Sequence, residues 1–260
     1  MRRALLIGVN YVRNERNRLY GCVNDVRSMR EALARLKPGV EFRVLHDEGG
    51  EWPSRANVLR AFAWLVDGLA PGDAVLVHYS GHGGLTVDRS GDEVTGYDSC
   101  IFPCSESGEV ECITDDEIRA ALAERVPARC KLTAVFDCCH SGTCLDLRYT
   151  LGGRDALTIL TENRRYRRTE GEVLFLSACS DQQVAEESVA PTGAGAPKGA
   201  GAPKGAPVGA LTTAFLAAVE GTVKLNRLVC AVRAQLRAAG FAQTPQVSCG
   251  RAVPFDAPVL

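Results

Sequence analysis

The sequence predicts an α/β fold in which helices cover both faces of a mainly parallel sheet. Short apolar runs alternate with segments whose apolar residues recur at helical spacing, as a chain of strand–helix–strand units requires. One of these runs, AVLVHYS at residues 74–80, is almost continuously apolar. Such runs are typical of parallel strands that are buried on both faces of a sheet.

Five strands and five helices follow from this pattern. The expected strands are residues 4–10, 42–46, 74–80, 130–137 and 172–179, and the expected helices are residues 22–37, 55–69, 114–126, 211–219 and 225–239. KPG ends the first helix and APGD the second. The third begins with Thr114, followed three residues later by Glu117, which is the spacing of a capping box. A further short β-like run lies in SCIFPC at residues 99–104.

Composition narrows the class of protein. The chain has 260 residues, 46% of them hydrophobic and 23% charged, with a formal charge of -1. These values are typical of a globular protein and give no indication of a nucleic-acid or membrane partner. The apolar run Ala4–Val9 is shorter than a signal-peptide core, so we interpret it as a buried strand. The eleven cysteines are then expected to be reduced and mostly buried, in a cytoplasmic or possibly nuclear protein.

The chain divides into two blocks, which we expect to form one domain overall. Residues 1–151 form the first block, residues 152–171 a basic linker loop, and residues 172–260 a smaller block with a low-complexity insert at 190–209. The linker carries four arginines within Arg164–Arg168, and the insert repeats GAPKGA. Both segments are expected to be solvated loops.

Two predicted strands end in residues that carry chemistry. The strand at 74–80 leads into SGHGG and the strand at 130–137 leads into CCHSG. In an open parallel sheet, ligands bind at the carboxyl ends of the strands, where His82 would face Cys138 or Cys139 if the strands are neighbours. A thiol beside an imidazole is the smallest nucleophilic unit. A metal site, a disulfide or simple packing of the cysteines remain alternatives.

The motifs resemble those of one enzyme family. YSGHGG and FDCCHSGT are similar to the histidine and cysteine motifs of metacaspases, and ALLIGVNY, LYGCVNDVRSM, GDEVTGYDSCIFP, FLSACSDQQVAEES and GALTTAFLAAV resemble flanking segments of that family in the same order. The resemblance implies a caspase-like three-layer α/β/α sandwich, with large-subunit-like and small-subunit-like blocks. It also implies that Cys139, not Cys138, is the nucleophile. His82 would move the proton, the amides of Gly83 and Cys139 would hold the oxyanion, and no third orienting residue is evident.

The resemblance also implies a binding pocket for the substrate. In this family the positions of Asp25, Asp137 and Ser80 line the primary specificity pocket, with Cys22 at its wall. Two carboxylates in a partly desolvated cleft favour a guanidinium or ammonium group, so cleavage after Arg or Lys is expected. Asp25 has a structural alternative, because a carboxylate in the first turn of a helix is favoured by the helix dipole.

A calcium site is the third implication. Asp98, Asp115, Asp116 and Asp146 match the acidic residues that bind calcium in metacaspases of this type, and hard carboxylate oxygens are what calcium prefers. Alternatively, Asp115 and Asp116 are ordinary acids in the first turn of a helix. DRSGDE at residues 88–93 lacks the features of an EF-hand, and we interpret it as a surface loop. The spacing of Cys100, Cys104 and Cys112 argues against zinc.

The leading hypothesis is therefore a calcium-dependent cysteine endopeptidase whose partners are polypeptides with Arg or Lys before the scissile bond. We expect a monomer that processes itself in the basic linker, or at Lys198 or Lys204 of the insert. The alternatives are a non-proteolytic caspase-like scaffold that binds partners, and a caspase-like peptidase with a different primary specificity.

Overall fold

A computed structural model describes residues 1–93, 95–139, 142–153, 156–178, 187–189, 205–220 and 224–260. The strands are β1 Arg3–Gly8, β2 Glu41–His46, β3 Ala74–Ser80, β4 Gly83–Val87, β5 Tyr97–Ile101, β6 Ile113–Thr114, β7 Lys131–Asp137, β8 Tyr149–Gly152, β9 Ile159–Glu162, β10 Glu172–Ser177, β11 Glu187–Val189, β12 Pro207–Gly209 and β13 Gln246–Cys249. The helices are α1 Cys22–Leu36, α2 Arg55–Val66, α3 Asp115–Ala121, α4 Ala210–Val219 and α5 Leu225–Ala238.

One eight-stranded sheet organises the molecule. Its order is β2-β1-β3-β7-β10-β13-β8-β9. The first five strands of that order are mutually parallel, and the last three are antiparallel to their neighbours. Strands β4, β5 and β6 form a separate small sheet, and β11 pairs with β12. The predicted α/β architecture with a mainly parallel sheet is confirmed.

Two apolar cores cover the two faces of the large sheet. On one face, α1, α4 and α5 pack through side chains such as Met29, Phe215 and Val229. On the other face, α2, α3 and the small sheet pack through side chains such as Phe62, Ile118 and Ile113. Successive side chains of each central strand point alternately into the two cores, which gives the three-layer sandwich. The carboxyl ends of the strands lie at one open edge.

The predicted elements are present with shifts at their ends, the largest in α3, which ends at Ala121 and is followed by a separate 3-10 turn, Ala123–Arg125. All five expected strands and all five expected helices form. Thr114 caps α3 with the reciprocal contacts of a capping box, as predicted. The sequence analysis did not predict the antiparallel strands β8, β9 and β13, nor β4 after the HGG motif. These strands are short, and β4 and β9 have partly or largely exposed side chains.

The basic linker differs from the solvated loop that we expected. Its residues 159–162 form β9 at the edge of the sheet. Tyr166 is only 6% exposed, and its hydroxyl donates to Glu93 Oε1 at 2.5 Å. The arginines around it are exposed. The expectation of a solvated loop is therefore wrong for the backbone of β9 and for Tyr166. Most of the low-complexity insert at 190–209 lies outside the described residues.

Candidate active site

The two chemistry-bearing motifs meet at one edge of the sheet. Strands β3 and β7 are parallel neighbours in a register that pairs Ser80 with Asp137, so the adjacency expected from the sequence is confirmed. His82 and Cys139 each follow two residues beyond that pair. Gly83 lies directly against the second motif, because a Cβ built on it would overlap the carbonyl oxygen of Cys139 and lie 3.0 Å from Cys138 Sγ. Cys138 is buried, whereas Cys139 is partly exposed.

Two buried tyrosines hold the backbone of His82. The amide of His82 donates to Tyr11 Oη at 2.9 Å, and Tyr79 Oη donates to the carbonyl of His82 at 2.8 Å. The rings of Tyr11 and His82 pack with centroids 4.7 Å apart. Burial raises the pKa of both tyrosines well above the ordinary value. They therefore stay neutral and act as fixed hydrogen-bonding groups.

A main-chain carbonyl orients the imidazole of His82. Nε2 of His82 lies 2.9 Å from the carbonyl oxygen of Asn17, at the end of a short 3-10 helix, Glu15–Asn17. A carbonyl only accepts hydrogen bonds, so Nε2 carries the hydrogen and Nδ1 of the neutral ring is left as the acceptor. The expectation that no third residue orients the histidine is therefore wrong. The orienting atom belongs to the backbone, which gives no signal in the sequence.

The two predicted pocket acids come together against the start of α4. Asp25 and Asp137 are 1% and 6% exposed. Ser80 Oγ donates to Asp25 Oδ2 at 2.7 Å, and the amide of Gly209 donates to Asp25 Oδ1 at 2.8 Å. A Cβ on Gly209 would overlap Asp137 Oδ2 and lie 2.6 Å from Asp25 Oδ2. Asp25 also lies in the first turn of α1, so its structural alternative and its predicted position are both compatible with the fold.

Thr212 and His78 extend this group into the core. The amide and the hydroxyl of Thr212 both donate to Asp137 Oδ2, each at 2.8 Å. Because that hydroxyl is used as a donor, His78 Nε2 donates to Thr212 Oγ1 at 3.0 Å. Burial lowers the pKa of His78 to about 3, so the ring is neutral at working pH. Neither Thr212 nor His78 was identified from the sequence as a supporting residue.

Cys22, the predicted pocket wall, begins α1. It is buried, and its amide donates to Asn10 Oδ1 at 3.0 Å. Its thiol interacts electrostatically with the hydroxyls of Tyr11 and Tyr79 and contributes to their raised pKa values. The structure therefore places Cys22 beside the tyrosines that hold His82, one helical turn before Asp25.

The four predicted calcium ligands lie in one acidic cluster on the β4–β5–α3 side. Several of the described acids form groups of three in which carboxylate oxygens lie within 4.8 Å of one another. These groups are Asp88, Asp92 and Asp98; Asp92, Asp116 and Asp146; and Glu93, Asp115 and Asp146. Asp98 Oδ1 and Asp146 Oδ1 are buried without a hydrogen-bond partner. All four predicted residues are therefore brought together, and two of them have buried oxygens that remain unsatisfied.

Burial and mutual repulsion change the acidity of this cluster. Burial, together with neighbouring acids, raises the pKa of Asp98 to about 6 and that of Asp146 to about 9. Burial also raises the pKa of Asp115 to about 8, although the amides of Ser99 and Asp116 oppose this by donating to its carboxylate. These shifts show that the negative charges are poorly compensated in the absence of a cation.

The 88–93 segment is a surface loop, as predicted, and its acids also lie in this cluster. Asp88 shapes the turn by accepting from the amides of Gly91 at 2.7 Å and Glu93 at 3.1 Å. The turn directs Asp92 and Glu93 toward Asp116 and Asp146. Asp92 and Glu93 were not predicted as part of the cluster, because only the fold brings this segment close to Asp116 and Asp146.

The cysteines near this cluster do not form a metal group. Within the part of the chain that the structure describes, every group of three potential ligands consists of carboxylates. The thiol of Cys100 hydrogen-bonds to that of Cys112, and this contact lowers the pKa of Cys112. Cys104 is buried separately, with its pKa raised by burial to about 11.

The sheet order and the histidine–cysteine edge define a caspase-like protein. Caspase-1 from Spodoptera frugiperda matches with a TM-score of 0.51 at 12% identity, covering 95% of this chain and 86% of that one. A crystal structure of a protein from Geobacter sulfurreducens matches with a TM-score of 0.65 at 22% identity, covering 98% and 97%. At these identities the likeness concerns the fold alone.

Sequence comparison identifies the family. A family model described as "Metacaspase, peptidase C14 domain" matches residues 2–148. Metacaspase-2 of Trypanosoma brucei brucei is 36% identical over 271 residues, covering 98% of this chain and 74% of that protein. Metacaspase-1 of Schizosaccharomyces pombe is 44% identical over 161 residues, covering 60% and 37%. The chain belongs to the metacaspase family of cysteine peptidases, and its substrates are therefore polypeptides. Among the described residues, no helix is long and apolar enough to cross a membrane.

Proposed function

We propose that this chain is a monomeric, calcium-dependent cysteine endopeptidase that cleaves after Arg or Lys, with Cys139 as nucleophile and His82 as proton carrier. The observation that carries the proposal is the meeting of two buried carboxylates, Asp25 and Asp137, at the sheet edge that bears His82 and Cys139. A nucleophilic pair beside an anionic recess is suited to a substrate with a cationic side chain.

The proposed chemistry begins with proton transfer from Cys139 to His82. With its Nε2–H held by the carbonyl of Asn17, the ring accepts the thiol proton at Nδ1. The thiolate attacks the peptide carbonyl, and backbone amides of Gly83 and Cys139 stabilise the oxyanion. His82 then gives the proton to the leaving amine as the C–N bond breaks. Water hydrolyses the thioester that remains on Cys139 and regenerates the thiol.

The contacts of the pocket acids support a preference for cations. The hydrogen-bond donors described above for Asp25 and Asp137, from Ser80, Gly209 and Thr212, are neutral. They stabilise the negative charge of the carboxylates through hydrogen bonds. A guanidinium or ammonium group compensates that charge in a low-dielectric recess, where the attraction is stronger than in water. An aspartyl side chain would be repelled there.

Calcium fits the acidic cluster. The buried, unsatisfied oxygens of Asp98 and Asp146 and the close approach of like charges are features that a hard cation relieves. Asp98, Asp115, Asp116 and Asp146 would hold the ion, together with Asp92 and Glu93. The ion would supply positive charge there. Its influence on the active site would run through the β4–β5 hairpin, since Gly83 begins β4 and Asp98 pairs with Thr86 across it.

Self-processing in the basic linker is part of the proposal. Arg164 and Arg168 are exposed, with 83% and 64% of their side chains accessible, which a protease requires of a cleavage site. The backbone is nevertheless fixed between them, because Arg148 donates to the carbonyl of Tyr166 and Arg119 to that of Arg167. Cleavage here therefore requires local opening. Lys198 and Lys204 lie outside the described residues.

One assay tests these proposals together. Peptidyl-aminomethylcoumarin substrates ending in Arg, Lys or Asp are incubated with the protein, with and without calcium. We expect turnover of the Arg and Lys substrates with calcium, and loss of at least about 10⁴-fold in Cys139→Ala because the nucleophile is removed. Mass spectrometry of the same samples should show fragments ending within Arg164–Arg168 or at a lysine of the insert.

The matched control is Cys138→Ala, which removes the neighbouring buried thiol and should retain turnover. Turnover of the aspartyl substrate alone would contradict the specificity. Activity that persists in Cys139→Ala would contradict the mechanism, and equal rates with and without calcium would contradict the metal dependence.

A further inference from the structure

A second recess adjoins the proposed dyad, separate from the acid pocket. It is a cavity of about 300 Å³ lined by Asn17, His82, Gly83, Phe102 and Val110. A volume of this size accommodates an amino-acid side chain. Two of the five lining residues belong to the proposed catalytic machinery, so the cavity is continuous with the position of the scissile bond.

The cavity and the acid pocket lie toward opposite faces of the sheet. Asp25 is on α1, and Thr212, which binds Asp137, is on α4. Both helices cover one face. Phe102 and Val110 pack against the core on the other face, with α2 and α3. A peptide chain that places one side chain in the acid pocket and crosses Cys139 therefore continues toward this cavity.

The proposed chemistry specifies which substrate residue enters it. His82 protonates the leaving amine, so the leaving amine must lie beside the imidazole. That amine is the backbone nitrogen of the residue after the scissile bond. Since His82 itself lines the cavity, the side chain of that residue is the one within reach.

The walls of the cavity are fixed and partly apolar. The carbonyl of Phe102 accepts from Tyr11 Oη at 2.8 Å, and its amide donates to Tyr79 Oη at 3.3 Å. Its ring lies against Gly84, where a Cβ would be only 2.8 Å from Phe102 Cε2. Val110 is held by a bridge to Cys104. The same tyrosines thus fix both His82 and the phenylalanine wall.

We propose that this cavity is a specificity site for the residue immediately after the scissile bond, and that it selects an apolar side chain. The proposal rests on the endopeptidase function proposed above. Fixed apolar walls gain free energy by taking an aliphatic side chain out of water, whereas a carboxylate placed between Phe102 and Val110 loses hydration without a charged partner from either wall.

Internally quenched peptides that differ only in the residue after a common arginine test the proposal. With Leu, Gly or Asp at that position, we expect kcat/KM to fall in this order, with Leu exceeding Gly by about 10-fold to 100-fold. Val110→Arg should remove the preference for Leu and raise the rate for Asp relative to Gly. Val110→Ala widens the cavity, so it should raise the rate for a further peptide with Phe at that position relative to the rate for the Leu peptide.

Val87→Arg is the matched control, because it adds the same charge on the neighbouring β4 strand at a side chain that is 64% exposed and outside the cavity. It should leave the order of the three peptides unchanged. Cleavage after arginine with no dependence on the next residue, or equal effects of Val110→Arg and Val87→Arg, would overturn this proposal alone. Absence of any cleavage, including that of the coumarin substrates, would overturn both proposals.

Discussion

At the scale of single residues, the site depends on contacts that main-chain atoms make. The carbonyl of Asn17 sets the tautomer of His82, and the amide of Gly209 binds Asp25. His82 and Cys139 were singled out from their motifs at the ends of two predicted strands, and Asp25 and Asp137 from the family resemblance. The main-chain partners were not, since any residue supplies a carbonyl or an amide and only the fold decides which one arrives.

Gly83 provides a test at this scale. A methyl group in Gly83→Ala would overlap the carbonyl of Cys139, so the two motifs must separate. A displacement of about 1 Å between catalytic groups costs on the order of 100-fold in rate, and we expect such a loss in kcat/KM for an arginyl substrate. In Gly152→Ala the nearest atom to the new methyl is Ile159 Cβ at 3.7 Å, so that variant should remain close to wild type. Wild-type activity in Gly83→Ala would contradict the close approach.

At the scale of elements, the β4–β5 hairpin joins the acidic cluster to the active site. β4 starts directly after His82, and the turn that follows it carries Asp88, Asp92 and Glu93. Sequence analysis predicted the long apolar strands because burial on both faces leaves a continuous pattern. It missed β4 and β9 because their side chains are largely solvent-facing, and such strands are specified by pairing with neighbours rather than by their own composition.

The acidic cluster predicts how stability depends on pH and calcium. The pKa values of Asp98, Asp115 and Asp146 are raised to about 6, 8 and 9, above the value of roughly 3.9 in an unfolded chain. Through these three carboxyls the folded state binds more protons between pH of about 4 and 9, so their contribution to stability falls as pH rises through this window. The lowered pKa of His78 acts in the opposite direction, but only below about pH 6.5. The calcium ion proposed for this cluster would replace the protons of these carboxyls, so we expect calcium at 100-fold excess over Kd to raise Tm by about 5–10 °C at pH 8 and by less at pH 6.

Differential scanning calorimetry with calcium or a chelator checks this expectation. Asp146→Asn should raise the Tm of the calcium-free protein at pH 8 and diminish the response to calcium. Asp256→Asn, at an exposed acid far along the chain, is the control and should change neither. A Tm that rises between pH 6 and pH 8 in the calcium-free protein, or an undiminished calcium response in Asp146→Asn, would count against the cluster as a cation site.

At the scale of the whole molecule, the fold brings distant parts of the sequence to one edge. Asp25 comes from α1, His82 follows β3, Cys139 follows β7 and Thr212 lies in α4. The order of strand and helix signals predicted a mainly parallel sheet, and it predicted the meeting of His82 with the cysteine motif on the condition that β3 and β7 are neighbours. The antiparallel half was not predicted, because strand order and direction there are set by long-range pairing of β13 with both β10 and β8.

The proposed function has Cys139 as a calcium-dependent nucleophile, with Asp25 and Asp137 binding the basic side chain of the substrate. A peptidyl-arginyl chloromethyl ketone tests it most directly, because the attacking thiolate displaces chloride and keeps the peptide as a thioether. After proteolysis, mass spectrometry locates the adduct. We predict stoichiometric modification of Cys139 in the presence of calcium, little without calcium, and little with the aspartyl analogue. Modification of Cys138 in place of Cys139, or equal labelling by the aspartyl reagent, would contradict the account.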